Sequence, residues 1–292
     1  MAVPLLNQWH AGSLDGLVDS AQEFWSSQKS WTAAVHEAVA KSFDREATNR
    51  LERLRNLGSG AYGGSWITNL PLEHDGSTTF TAEEFQVLAR FRLGLPFAAS
   101  ASCGGCGARQ DIFGDHALSC HACGTYARHN RLRDTLAEEY NRVGIPTRLE
   151  GPVPEGGFRI DVVAEESSET FPQVVDVSVV HPLHPTSSQA EVTPGTAAAQ
   201  REQAKHSSEA AKECAKHKWR FAAVAVETTG CWGPEAQKCI RGLARKQSMR
   251  LGLDLPTVSK QLWRRLSGAV AKGVARMLLR AFGAGEAVPA PQ

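Results

Sequence analysis

Two short β-branched runs near the middle of the chain constrain its fold most strongly. Residues 158–163 and 174–180 each have the composition of a strand, and the polar segment 165–172 between them is typical of a hairpin tip. Each strand carries one carboxylate, Asp161 on the first and Asp176 on the second. Because an unpaired buried charge is costly, these carboxylates need partners if the strands are buried. The alternatives are a bound Mg²⁺ ion, which prefers oxygen ligands, and a hairpin with a polar outer face.

Hydrophobic periodicity places helices around this hairpin. Residues 1–57 have a helical pattern, residues 66–71 resemble a short strand, and Thr81 with Glu84 forms a capping box that opens a helix over 82–93. The segments after residue 126 are predicted as a helix to about 143, the hairpin, one long helix from about 193 to 218, a strand at 221–229, and helices at 234–250 and 257–282. The expected fold class is therefore α/β (α+β), with a mixed central sheet flanked by helices.

Four of the seven cysteines lie between residues 103 and 123, which is typical of a metal site in a reducing compartment. Cys103-Gly-Gly-Cys106 can chelate one ion, and its two glycines permit a tight turn. Two sets of ligands compete for a structural zinc ion. One contains Cys103, Cys106, His116 and Cys120, and the other has Cys123 in place of His116. Spacing alone slightly favours the four-thiolate set.

The charge of the chain is unevenly distributed. The net charge is +1, but residues 201–280 hold 17 Lys or Arg and 6 Asp or Glu. This basic half predicts a polyanionic partner. The helix after the cysteine cluster also begins with basic residues that can contact phosphates: Arg128, His129, Arg131 and Arg133. With no apolar run of 18 residues and no secretory signal pattern, we expect an intracellular protein, nuclear or cytoplasmic, with no membrane partner.

The order of motifs resembles the C-terminal region of non-LTR retrotransposon polyproteins, in which a zinc knuckle precedes a restriction-endonuclease-like domain of the PD-(D/E)xK superfamily. The motifs that carry the resemblance are Cys103-Gly-Gly-Cys106, Gly114-Asp-His-Ala-Leu-Ser-Cys120, Arg128-His-Asn-Arg-Leu-Arg-Asp134, Arg159-Ile-Asp-Val162, Val175-Asp-Val-Ser-Val-Val-His-Pro182 and Ala225-Val-Glu-Thr-Thr-Gly-Cys-Trp-Gly233. The resemblance covers roughly residues 50–282. No polymerase signature is present, so it implies a chain without reverse transcriptase activity.

The resemblance implies specific roles for the residues that match. The zinc ligands would be Cys103, Cys106, His116 and Cys120, which reverses the preference from spacing. Asp161 and Asp176 would bind a catalytic Mg²⁺ ion, and Arg159, beside the first acid, would join the basic residues that bind nucleic acid. The catalytic lysine would come from the following helix, with Lys205 the first choice and Lys212 the second. The domains would be a helical N-terminal region (1–98), the knuckle (99–126), the endonuclease-like core (127–233), and basic helices with a disordered tail (234–292).

Two departures from the family pattern leave the function open. Ile160 stands where the family usually has a proline, and Ser178 stands at the usual position of the lysine. We therefore expect a Mg²⁺-dependent DNA endonuclease that nicks a target site, with DNA, and also the RNA of the element, as possible partners. The alternative is a catalytically inactive, zinc-containing remnant that binds nucleic acid. A third reading is a zinc-stabilised protein-interaction domain.

Overall fold

A computed structural model describes residues 57–68, 79–97, 101–153, 155, 157–165, 172–183 and 193–283 of the 292. The chain divides into two compact units, Met1–Asn56 and Leu57–Gln292. The predicted helices before residue 57 and the predicted disordered tail after residue 283 lie outside the described residues. The knuckle, the hairpin and the C-terminal helices all belong to the second unit.

The described residues of this unit form helices and six strands. The helices are α1 (Ser65–Thr68), α2 (Ala82–Leu93), α3 (Asp115–Ser119), α4 (Thr125–Asn141), α5 (Thr196–His206), α6 (Glu209–Lys216), α7 (Pro234–Leu251) and α8 (Leu255–Phe282), with a 3₁₀ turn at His121–Cys123. The strands are β1 (Ala101–Ser102), β2 (Arg109–Gln110), β3 (Thr147–Pro152), β4 (Arg159–Ala164), β5 (Gln173–Val180) and β6 (Arg220–Glu227). In the described segments no helix is both long enough and apolar enough to cross a bilayer.

The main sheet has four strands in the order β3-β4-β5-β6. Strands β4 and β5 pair antiparallel, which confirms the predicted hairpin, and Val162 lies opposite Val175. Strand β6 pairs parallel to β5 after a crossover through α5 and α6, as a parallel connection requires. The result is a mixed α/β fold in which the predicted strand at 221–229 forms one edge of the sheet.

Alternation along the strands gives the sheet two buried faces. On one face Val162, Val175 and Val177 pack with apolar residues of α4, α7 and α8 in the main core. On the other face Val163 and Val174 pack against Cys214 of α6, and Ile160 belongs to the same smaller core. Both faces are covered, so a charged side chain within the paired part of β4 or β5 must have a polar partner.

Three local predictions can be compared with the structure. Helix α2 spans 82–93, and its Thr81–Glu84 capping box is formed in both directions, as predicted. The predicted single helix at 193–218 was wrong. It is broken into α5 and α6, because Ser208 adopts an extended conformation and accepts the Ala211 N–H as the cap of a new helix. The predicted strand at 66–71 was also wrong, since Ser65–Thr68 is helical and residues 69–71 lie outside the described part.

The cysteine-rich segment is docked on the end of the last helix. The Gly104 N–H and the Gln110 side-chain amide both donate to the Ala281 carbonyl, at 2.9 and 3.2 Å. A Cβ atom on Gly104 would lie 2.5 Å from the Arg280 carbonyl oxygen, so only glycine allows this approach. The end of α8, the last described helix, therefore holds the first turn of the cysteine cluster.

Candidate functional site

The hairpin brings the two strand carboxylates together. Asp161 and Asp176 each lie one residue beyond the Val162–Val175 pair, at the same end of the paired segment. Asp161 accepts hydrogen bonds from His129 Nε2 at 3.0 Å and from the Val177 N–H at 2.7 Å. Asp161 therefore reaches across to β5 and takes a backbone donor beside Asp176.

The environments of the two carboxyl groups differ. Burial opposes ionisation of Asp161, but the hydrogen bond and charge of His129 and the Val177 N–H together lower its pKa. Burial raises the pKa of Asp176, and the adjacent charge of Asp161 adds to this rise, while Lys205 opposes it. The pair thus concentrates negative charge at a partly desolvated position, where a cation is stabilised.

Lys205 supplies a cation at this position. Its Nζ atom lies 2.8 Å from both carboxylate oxygens of Asp176. Lys212, the second choice from sequence, lies on α6, where its ammonium group pairs with Glu209 at 2.5 Å and is 57% exposed. The geometry therefore groups Lys205, and not Lys212, with the Asp161–Asp176 pair.

A buried carboxylate fixes the helix that carries Lys205. Helix α5 has no side-chain cap of its own. Glu227, fully buried at the end of β6, accepts the Ala197 N–H at 3.0 Å and the Thr229 hydroxyl at 3.0 Å. A carboxylate at a helix N-terminus satisfies free amides and complements the helix dipole. Glu227 thus anchors α5 to the sheet, a role that its position near the end of a predicted strand did not reveal.

A cavity of about 800 Å³ opens beside these residues. Its walls include Asp161, Ser178 and Lys205, together with His129 from α4 and Arg201 from α5. Ser178 occupies the position where the family pattern has a lysine, and its hydroxyl accepts a hydrogen bond from Arg201 Nε at 3.3 Å. The space in front of the carboxylates is therefore bordered by side chains of both charges.

Two of the arginines predicted to contact phosphates are held by contacts within the protein. Arg128 is only 4% exposed, and its guanidinium donates to the carbonyl oxygens of Leu118 and Val179. Burial lowers its pKa to about 10, and its guanidinium lies between the cysteine-rich segment and β5, at the border of the cavity. Arg133 is held between Asp134 and Glu150, so its guanidinium is already neutralised.

The other predicted nucleic-acid residues have different surroundings. His129 contacts Asp161 and thereby belongs to the carboxylate cluster. Among the described residues no side-chain hydrogen bond or ion pair engages Arg131 or Arg159, and Arg159 is exposed at the start of β4. Burial lowers the pKa of Arg131, which also lies near the charges of Glu84 and Asp134, and the proposed contact of both arginines with nucleic acid stays a prediction.

The cysteine-rich segment forms a cluster that can bind a metal ion such as zinc. The ligand atoms of Cys103, Cys106, His116 and Cys120 all lie within 4.8 Å of one another. Tetrahedral zinc with bonds of about 2.3 Å separates its sulfur ligands by about 3.8 Å, so the cluster needs only a small contraction. Cys123 is not part of this group, although its Sγ atom lies 3.2 Å from Cys103 Sγ. The geometry matches the set implied by the resemblance and not the four-thiolate set favoured by spacing.

Backbone geometry and thiol crowding also fit a metal site. Burial opposes ionisation of Cys103, but N–H groups of Cys106 and Gly105 and the neighbouring side chains lower the pKa of its thiol to about 6. The Ala108 N–H favours the Cys106 thiolate, yet burial and the adjacent thiols give a net rise in the pKa of Cys106. Crowded thiolates repel one another, and a bound cation removes that repulsion.

Replacing His116 with alanine is expected to remove zinc from the protein, because it deletes one of four ligands. Loss of an outer-shell partner alone weakens metal binding by about 10–100-fold, so loss of a ligand should exceed this range. The matched change Cys123→Ser should leave one zinc per chain. Zinc content measured by mass spectrometry after dialysis against a weak chelator checks both variants. Retention of zinc in His116→Ala with its loss in Cys123→Ser would establish the four-thiolate set instead.

The cysteine cluster is connected to the end of β5. The Asp111 carboxylate accepts the N–H groups of Phe113, Asp115 and His116 and thereby forms the turn that begins α3. Asp115 then contacts His181 Nε2 at 2.9 Å, directly after β5. The position of the candidate ligand His116 is thus coupled through its neighbour Asp115 to the strand that carries Asp176.

Comparison with known proteins does not identify a family. A scan against protein-family models and a search of curated proteins both return no match. The function must therefore be argued from the residues of the site.

Proposed function

We propose that this chain is a metal-dependent DNA endonuclease with a restriction-endonuclease-like core and a structural zinc knuckle, related to the endonuclease of non-LTR retrotransposons. The observation that carries the proposal is the grouping of Asp161, Asp176 and Lys205. The two carboxylates come from neighbouring antiparallel strands, and the lysine from the next helix lies 2.8 Å from the second of them. The motif order in the sequence supports the same assignment.

The departures from the family pattern have structural explanations that are compatible with this function. Ile160 is completely buried in the smaller core, where an apolar side chain stabilises β4 beside Asp161. Ser178 lacks an ammonium group, but Lys205 provides one to Asp176 from α5. The cation is therefore supplied by the helix and not by the strand.

The residues suit a hard cation. Asp161 and Asp176 would hold Mg²⁺, which lowers the pKa of an attacking water and stabilises negative charge on the phosphate. His129 and the Val177 N–H orient Asp161, so that one carboxylate is fixed before substrate arrives. Lys205 is placed to contact the phosphate once its ammonium group is released from Asp176. The reaction would form a bond from water oxygen to phosphorus and break one ester bond, leaving a phosphate end and a hydroxyl end.

The zinc knuckle would contribute binding surface. Leu118 and Ser119 of α3 and His121 of the following turn border the same cavity as Asp161 and Lys205. A nucleic-acid strand in this cavity would therefore pass along the knuckle. Arg131 and Arg159 remain the candidates from sequence for further phosphate contacts, so DNA affinity should fall steeply with salt.

Nicking of supercoiled plasmid tests the proposal. The full chain loaded with zinc is expected to convert the plasmid to the open circular form with Mg²⁺, but not with Ca²⁺ or with excess EDTA. A gel-shift measurement on the same plasmid at low salt serves as the control for binding. Binding without nicking in Mg²⁺ or Mn²⁺ would favour the inactive remnant. Absence of binding to DNA and RNA would favour a protein-interaction domain.

A further inference from the structure

Arg201 is a second cation of helix α5 that faces the same cavity as Lys205. It lies one turn before Lys205, and its Nε atom donates to the hydroxyl of Ser178 at 3.3 Å. Ser178 lies two residues after Asp176 on β5, and its side chain is buried. Both Arg201 and Lys205 border the cavity of about 800 Å³.

The spacing of these two contacts follows from the geometry of a helix on a strand. Four helical residues rise about 6 Å, and two strand residues rise about 6.7 Å. Arg201 and Lys205 are four residues apart, and their partners Ser178 and Asp176 are two apart. The two cations therefore meet the same face of β5 in matching order, with α5 and β5 running in opposite directions.

The charge of Arg201 is not neutralised by a carboxylate in the described part of the chain. Its only side-chain partner there is the neutral hydroxyl of Ser178. The nearby acids have other partners: Glu202 accepts amide N–H groups at the start of α7, Glu150 pairs with Arg133, and Asp161 pairs with His129. The N–H groups on the two terminal nitrogens of Arg201 can therefore donate to a negatively charged ligand.

We propose that Arg201 binds a phosphate of the nucleic-acid strand that occupies this cavity, beside Lys205, with Ser178 as its positioning residue. The inference rests on the proposed nuclease function and names a residue that the sequence motifs did not single out. A guanidinium presents parallel N–H groups that match two phosphate oxygens, whereas an ammonium group acts as a point charge. The hydrogen bond from Nε to Ser178 fixes the plane of this fork.

The contact between Arg201 and Ser178 also makes a serine at this strand position compatible with the proposed nuclease activity. A lysine at this strand position would place its ammonium group where Arg201 now contacts the strand, and the two cations would repel each other. The short hydroxyl accepts a hydrogen bond from Arg201 and adds no charge. Ser178 thus holds Arg201 beside Lys205, which supplies the ammonium group that a strand lysine would supply.

Arg201→Gln tests the proposal, with Arg148→Gln as the matched control. Arg148 is an exposed arginine on β3 that pairs with Glu165, and such surface pairs contribute little to stability. Arg201→Gln is expected to weaken substrate binding and raise KM for plasmid nicking by about 10-fold, with a smaller change in kcat, because the phosphate contact is made already in the bound substrate. Arg201→Lys should recover only part of this loss. Arg148→Gln should match the unmodified chain.

A binding measurement separates this inference from the nuclease proposal. In Ca²⁺, fluorescence anisotropy of a 16-base-pair DNA duplex gives the slope of log affinity against log salt concentration. Loss of one phosphate contact reduces the magnitude of that slope by about 0.9. Arg201→Gln should show this change and Arg148→Gln should not. An unchanged slope overturns the inference about Arg201 whether or not the chain cuts DNA, and absence of nicking by the unmodified chain overturns the nuclease proposal alone.

Discussion

Replacing Asp176 with asparagine is expected to abolish Mg²⁺-dependent nicking, with a fall in rate of at least about 1,000-fold. Asparagine keeps the size of the side chain but removes the negative charge that would hold the metal ion. It also removes the charged partner of Lys205 Nζ. Asp161→Asn should have an effect of similar size, since its amide oxygen can still accept the Val177 N–H but the carboxylate is lost. Plasmid nicking under single-turnover conditions measures both rates.

The control for these variants is Glu209→Gln. Glu209 is an exposed acid of α6 that pairs with Lys212, so its loss changes net charge equally without touching the cavity. Zinc content, the thermal unfolding midpoint and DNA affinity in Ca²⁺ should be close to those of the unmodified chain in all three variants. Nicking that persists in both Asp161→Asn and Asp176→Asn would show that another site cuts DNA.

Lys205→Ala is expected to lower the nicking rate by about 100–1,000-fold, while Lys212→Ala leaves it unchanged. The two lysines differ in their positions relative to Asp176. Lys205 Nζ contacts both oxygens of Asp176, whereas Lys212 pairs with Glu209 at the protein surface. Removing a surface pair of this kind costs at most about 1 kcal/mol of stability.

A comparison of the two lysine variants over a range of substrate concentrations defines the role of Lys205. A group that acts on the phosphate in the transition state lowers kcat, whereas a group that only binds DNA raises KM. We expect the loss in Lys205→Ala to be mainly in kcat. Equal activity of the two alanine variants would exclude Lys205 as the catalytic lysine.

Local sequence patterns predicted the helices and strands that are marked by one strong signal. The capping box at Thr81 defined the start of α2, and the two β-branched runs defined β4 and β5. The break between α5 and α6 was missed because alanines at helical spacing continue across it, and this periodicity outweighed the local capping signal of Ser208. Propensity is a weak prior where packing decides.

In the site as well, some residues could be named from the sequence, whereas the role of another depends on a contact distant in the chain. Asp161 and Asp176 were named from their strands and Lys205 from the family resemblance, and the three are found together. Arg128 looked like a surface cation beside Arg131, but it is buried where Gly273 of α8 leaves room for its side chain: a Cβ atom on Gly273 would lie 2.6 Å from Arg128 Cγ. A contact between residues so far apart in the chain leaves no local signal, which is why this role could not be predicted.

The docking of the cysteine cluster on α8 would couple metal binding at this cluster to the stability of the C-terminal helix. The Gln110 side chain and the Ala281 carbonyl are 171 residues apart in sequence, yet they share a hydrogen bond, and Gly104 donates to the same carbonyl. A ligand that binds only the folded chain adds its binding free energy to stability, and structural zinc sites do this strongly. A chelator would therefore loosen the C-terminal helix as well as the knuckle.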